Sequence, residues 1–318
     1  MGVVHADSEA EVELGAVERR RLRRVPRARG SPPAGEPSRI GYLYILPALA
    51  LYVTFVLAPF VHTAILSLYS WDGVTPAHFV GLRNFRAIFS NPVLLGAFEH
   101  AFILIVFYAL LPTAIGLLLA GVMARSHIRG LRLYSTVLFL PYVIAPTAVA
   151  VVWRWLLAPD GPLNHLLRDL GLGSLARPWL GDFTWALPSV GLIGTWVLYG
   201  LAMVLFLAGV QKIPRTLYDA ARIDGSGPLW EFLAVTLPGL RNELVVVLVL
   251  TVTAALRNFD TIYVATSGGP GTATTVPSYL VYNTAFVVGS VGAAAAIGVL
   301  LAVLIFALNV AITRLGAQ

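Results

Sequence analysis

The segment FTWALPSVGLIGTWVLYGLAMVLFLAGVQ, from Phe183 to Gln211, contains no formally charged residue. A helix rises about 1.5 Å per residue, and about 20 apolar residues cross a bilayer core. The run is therefore long enough to span a membrane, and it is apolar on every face, as a membrane helix is. The same pattern recurs outward from it. Ile40 to Trp71 is free of Asp, Glu, Lys and Arg and holds only His62, which predicts a first span near 41–68. Ala101–Ala124 and Leu133–Trp153 predict the second and third. A fifth begins after Glu243 and is broken by Arg257 and Asp260. No charge then appears before Arg314, which leaves an uncharged loop and a sixth span near 287–312. The expected fold is an all-α integral membrane protein with six transmembrane helices.

Composition points the same way. Of 318 residues, 58% are hydrophobic and 12% charged, and the mean hydropathy is +0.79. Soluble domains carry about 25% charged residues, so much of this surface does not face water. The net charge of +6 is clustered rather than spread over a groove, which argues against nucleic acid as a partner. There is no cysteine, so disulfides, thiol nucleophiles, iron–sulfur and zinc–thiolate sites are all excluded. Arginines concentrate in the tail, in 124–133, in 211–243 and at the C-terminal end, whereas the alternate segments hold only Arg83, Arg86, Arg168 and Arg177. By the positive-inside rule both termini are expected in the cytoplasm. Residues 1–39 read as a basic, disordered cytoplasmic tail with some contact to anionic lipid, and they lack a secretory signal.

Enzymatic signatures are missing. His5, His62, His78, His100, His127 and His165 are scattered without metal-ligand spacing. Lys212 follows Gln211 rather than a glycine loop, so no Walker A motif exists and no cofactor is expected on this chain. Asp160, Asp169 and Asp182 are the candidates for a membrane-bound hydrolase, but they sit among turn residues and read as loop solubility.

The segment between the fourth and fifth spans is the most informative. It reads Ile213-Pro-Arg-Thr-Leu-Tyr-Asp-Ala-Ala-Arg-Ile-Asp-Gly225 and continues to Leu237-Pro238. Pro214 suits a first helical turn and Gly225 a left-handed stop. Gly227-Pro228 opens a second helix, which Leu237-Pro238 is expected to close. Ala220 and Ala221 leave a smooth patch, ringed by Asp219, Arg222 and Asp224, on which another protein can sit closely.

This spacing resembles the EAA loop of ABC importer permeases: Asp219-Ala220-Ala221, Gly225 and then Val235-Thr-Leu-Pro238, with aspartate for the usual glutamate and valine for isoleucine. Further segments are similar to the carbohydrate type, the group of maltose and glycerol-3-phosphate importers, and to the first permease of its pair. They are Phe79-Val-Gly-Leu-Arg-Asn-Phe85, Phe139-Leu-Pro-Tyr142, Gly161-Pro-Leu-Asn164, and Phe259-Asp-Thr-Ile-Tyr263 with Ser267-Gly-Gly-Pro270. The resemblance covers residue 40 to the C-terminus and implies a type I permease domain with a coupling loop at 211–240. It also implies a second permease subunit, two ATP-binding subunits that hydrolyse ATP elsewhere, and an extracellular lipoprotein or periplasmic solute-binding protein.

A solute path is expected within the spans. Thr251, Ala255 and Asn258 share one helical face, and the resemblance gives Thr251, Asn258 and Tyr142 a place in the family's path. Trp196 and Tyr199 could also line it or simply pack. Arg257 and Asp260, three apart, either pair with each other or face the solute, and Arg257 would then suit a phosphorylated polyol. Gly289, Gly292, Ala293 to Ala296 and Gly298 read as a close-packing face. The reading is a sugar importer's permease subunit; the alternatives are the same role for a polyol ester, or an ion-coupled carrier, which would need more buried carboxylates and inverted repeats.

Overall fold

Six apolar segments organise the chain, but one of them is bent at about a right angle. The computed structural model describes residues 38–125 and 130–317; the expectations for the tail up to residue 37, His127 and Arg129 fall outside them. Contacts divide the chain into two units, residues 1–60 and 61–318. The described part of the first is helix from Ser38, with its side chains exposed from Tyr44 to Phe60. The second unit carries the rest of the fold.

Among the described residues five helical segments are long and apolar enough to cross a membrane: Tyr44–Leu66, Pro92–Met123, Ala186–Val210, Arg241–Ala265 and Val291–Gly316. The third expected span is a bent pair, Leu131–Val143 and Pro146–Leu156, turned by 93°. Taken as one span, it brings the total to six. The cause is local. A proline disfavours the helical conformation in the residue before it, and Ala145 and Ile144 are extended at φ −55°, ψ 130° and φ −72°, ψ 137°. The sequence expectation of a single straight helix over Leu133–Trp153 is corrected accordingly.

The fourth span, Ala186–Val210, is central to the second unit and packs against the second span, the first arm of the bent pair and the fifth span. Small residues make this possible. A side chain at Gly194 would run into the Tyr108 ring, and one at Gly200 into the carbonyl of Leu138. Leu104, Leu187, Val190, Leu198, Ile262 and Val276 form the core on one side of it; Ala120, Ala202, Phe206, Leu240 and Val247 form it on the other. The sixth span uses the expected small-residue face: Ala294, Ala295 and Ala296 are buried, and the Gly292 N–H donates to the Trp71 carbonyl at 3.1 Å. A short antiparallel ladder pairs Tyr69–Ser70 with His78–Phe79, and the Asn84 amide fixes it by donating to Ser67 and Tyr69 carbonyls.

Three helices widen to a π-turn two residues before a proline: Val53–Leu57 before Pro59, Val106–Leu110 before Pro112, and Phe232–Thr236 before Pro238. A proline ring collides with the carbonyl four residues back and offers no N–H. In each case that carbonyl lies inside the widened turn, which moves it aside. Pro238 therefore does not close the second loop helix as expected; the helix runs through it from Pro228 to Gly239.

Candidate functional site: the loop and the interrupted fifth span

The loop helix Arg215–Ile223 begins at Pro214 and ends at Gly225, where φ is +79°. Its end is closed twice: Gly225 N–H donates to the Arg222 carbonyl at 3.0 Å and Ser226 N–H to the Ala221 carbonyl at 2.9 Å. This is a Schellman motif, and it needs the left-handed residue that glycine supplies. Asp219, Ala220, Arg222, Asp224 and Gly225 are exposed and Ala221 is half-buried.

Two ties hold this helix to the next. Arg222 Nε donates to Glu231 Oε2 at 3.3 Å, while its Nη1 lies 3.9 Å from Asp219 Oδ1. Tyr218 and Thr236 hydroxyls meet at 3.2 Å. Glu231 and Thr236 are buried, so the ties end on fixed points. Lys212 then pairs with Glu243, at the start of the fifth span, at 2.8 Å. Sequence reasoning missed Glu231 and Ile223. Glu231 was legible as the one carboxylate inside the apolar second helix. Ile223 is 86% exposed beside Ala220, with Leu217, Leu229 and Trp230 also open.

The fifth span is interrupted at Arg257–Phe259 between its helices Arg241–Leu256 and Asp260–Ala265. Backbone groups freed inside an apolar environment need new partners. Ser278 Oγ donates to the Asn258 carbonyl at 2.9 Å, and Arg154 donates to that of Val264 at 3.3 Å.

The expected solute-facing residues divide. Thr251 is fully buried and its hydroxyl donates to the Val247 carbonyl at 2.8 Å. Ala255 and Asn258 are buried on the same face, toward the fourth span's core, near the buried Tyr108 hydroxyl. The spacing identified a real face, but helix packing takes it, because its side chains are the small ones. Trp196 likewise packs edge-on against Trp153, with centroids 5.6 Å apart, and Tyr199 is half-buried. Tyr142 is exposed in the last turn before the 93° bend, beside Phe139. Arg257 and Asp260 are both exposed, and among the described residues no ion pair joins them.

Of the carboxylates considered for hydrolysis, Asp182 has a structural role. Asp182 Oδ1 accepts from Thr184 and Trp185 N–H groups ahead of the fourth span. Among the described residues no cluster of His, Asp and Glu could hold a metal.

Residues 38–317 match the family described as "Binding-protein-dependent transport system inner membrane component". The chain belongs to that family. The relatives of this inner membrane component include the probable ABC transporter permease protein YurN of Bacillus subtilis, 36% identical with 85% of this chain and 93% of that protein covered. The diacetylchitobiose uptake system permease protein NgcF of Streptomyces coelicolor is 34% identical, with coverage of 80% and 75%. A crystal structure of a bacterial ABC transporter importing the acidic polysaccharide alginate has a chain of the same fold, with a TM-score of 0.75 at 22% identity, covering 87% of this chain and 95% of that one. The component is thus a permease of the ABC importer type.

Proposed function

We propose that this permease forms half of the solute pathway of an ATP-driven sugar importer and carries the thrust of ATP hydrolysis through the loop 211–240. On this reading the chain pairs with a second permease subunit, two separate ATP-binding subunits and an external solute-binding protein, with both termini in the cytoplasm. The observation that carries it is the loop helix itself. Ala220 and Ala221 give it a low profile, Ile223 projects as an apolar knob, and Arg222 and Tyr218 fix it to a helix that leads directly into the fifth span. A partner that pushes on such a helix moves a span. The sugar class rests on the carbohydrate-type segments and on the naming of relatives such as the diacetylchitobiose permease.

The test is Ile223→Asp in the assembled importer. Ile223 is 86% exposed, so membrane insertion should be unchanged. Burying a carboxylate in a docking cleft is expected to cost at least about 2 kcal/mol of association. The ATPase should then no longer co-purify, and ATP-dependent uptake should fall by about tenfold or more. Unchanged uptake would dismiss the loop as the coupling element. A phosphorylated polyol is the second reading for the solute, favoured by the exposure of Arg257 without a paired acid.

A further inference from the structure

The second span, Pro92–Met123, widens at the π-turn Val106–Leu110, and the turn leaves one carbonyl without a backbone partner. The Leu111 N–H reaches back five residues to the Val106 carbonyl. The Phe107 carbonyl is next in that register, and it faces the Pro112 nitrogen, which carries no hydrogen. The fourth span supplies what is missing. Thr195 Oγ1 donates to the Phe107 carbonyl at 2.6 Å, and Thr195 is buried. The same span is shaped to the turn: a side chain at Gly191 would meet the Phe107 ring, and one at Gly194 the Tyr108 ring.

The turn also packs against the fifth span, where that span too departs from regular helix. Tyr108 shares a core with Ala255 and Ile262, which flank the interruption Arg257–Phe259. Its hydroxyl faces Asn258 inside the interruption and Thr261 just after it. Two neighbouring spans thus lose regular helix side by side, and such places are where helices bend. Thr195 Oγ1 has a second acceptor in its own helix, the Gly191 carbonyl at 3.3 Å. The hydroxyl can turn from one carbonyl to the other and keep a bond, so its contact to Phe107 exchanges at low cost.

We propose that the π-turn Val106–Leu110 and the interruption Arg257–Phe259 are a single hinge, and that Thr195 is the residue that positions it. At rest its hydroxyl holds the Phe107 carbonyl and keeps the second span in line with the fourth. When the loop 211–240 pushes the first half of the fifth span, Arg241–Leu256, the movement reaches Tyr108. Thr195 then turns to Gly191 and the second span bends. The inference rests on the importer reading and specifies how the thrust enters the membrane, by bending two spans together rather than by tilting rigid ones.

The experiment measures the bend in the complete importer, purified with cysteine-free partner subunits. Nitroxide labels at Leu95→Cys and Leu118→Cys, both exposed, bracket the π-turn. Their separation is read by pulsed electron paramagnetic resonance with and without ADP–vanadate trapping. The labelled parent is expected to shift by about 2 Å or more on trapping. Pro112→Ala gives the Phe107 carbonyl an N–H and lets the helix close. Its shift should vanish while the ATPase still co-purifies and the Tm holds or rises. Thr195→Val keeps the shape without the donor, so its nucleotide-free distances should broaden toward the trapped ones; Thr195→Ser should match the parent. Thr195→Val combined with Pro112→Ala satisfies the carbonyl again, so the Tm recovers but the bend does not return. A Thr195 that only adds stability leaves the bend untouched throughout. A shift that persists in Pro112→Ala, or is missing from a parent complex that hydrolyses ATP, overturns the hinge and leaves the importer standing. If Pro112→Ala fails to assemble, Thr195→Val decides, and distances equal to the parent's overturn the hinge. A parent chain that co-purifies with no ATPase overturns the importer reading and the hinge with it.

Discussion

Single side chains hold this molecule together most visibly at Asn164. Buried in the loop between the bent pair and the fourth span, it donates to the carbonyls of Ala158, Pro159 and Arg177, and accepts from Arg177 N–H and Trp179 Nε1. Arg177 in turn packs over the Trp179 and Trp185 rings at 5.3 and 4.7 Å. Asn164→Leu strands several buried groups at about 1–3 kcal/mol each; the expected loss is about 3 kcal/mol or more, visible as a lowered Tm of the purified protein in detergent. Some residues announced their place and others did not. Gly225 and Pro214 were legible because backbone geometry restricts which residues a helix end accepts. Thr251 and Asn258 were legible as one buried polar face, but a polar face inside a membrane looks alike in sequence whether it meets a solute or another helix. Only the packing partner decides that, and the partner is remote in sequence.

At the level of elements, the charge-free runs placed every span, since length and apolarity are what a bilayer selects. One break escaped notice although its proline was in plain view, and one expected break did not occur. Pro146 ended one arm and began another, while Pro238 was absorbed by a widened turn and ended nothing. Ala145 before Pro146 is extended whereas Leu237 before Pro238 stays helical, so the presence of a proline alone did not tell the two apart. The pair of loop helices invites a test of its own. Glu231→Gln keeps the shape of the buried side chain but removes its charge-assisted bond to Arg222. Because Arg222 is largely exposed, the expected loss is about 1 kcal/mol. Helix Arg215–Ile223 should then open more often, and trypsin should cleave after Arg215 or Arg222 about fivefold faster in the unpartnered protein.

For the whole molecule, orientation is the property most open to direct measurement, because the chain has no cysteine of its own. Ser174→Cys and Gln211→Cys are exposed positions on opposite sides of the fourth span. With both termini cytoplasmic, a membrane-impermeant maleimide should label Ser174→Cys in intact cells and Gln211→Cys only after the cells are permeabilised; the reverse pattern would invert the topology. The bent pair has a further consequence, for biogenesis. Its arms of 13 and 11 residues reach only about 20 and 17 Å, well short of the roughly 30 Å hydrocarbon core. Neither arm alone is long enough to be a finished span. The surface against which Leu138 rests, at Gly200, belongs to the fourth helix, which is synthesised later. The expected consequence is that the third segment settles only once the fourth has entered the membrane.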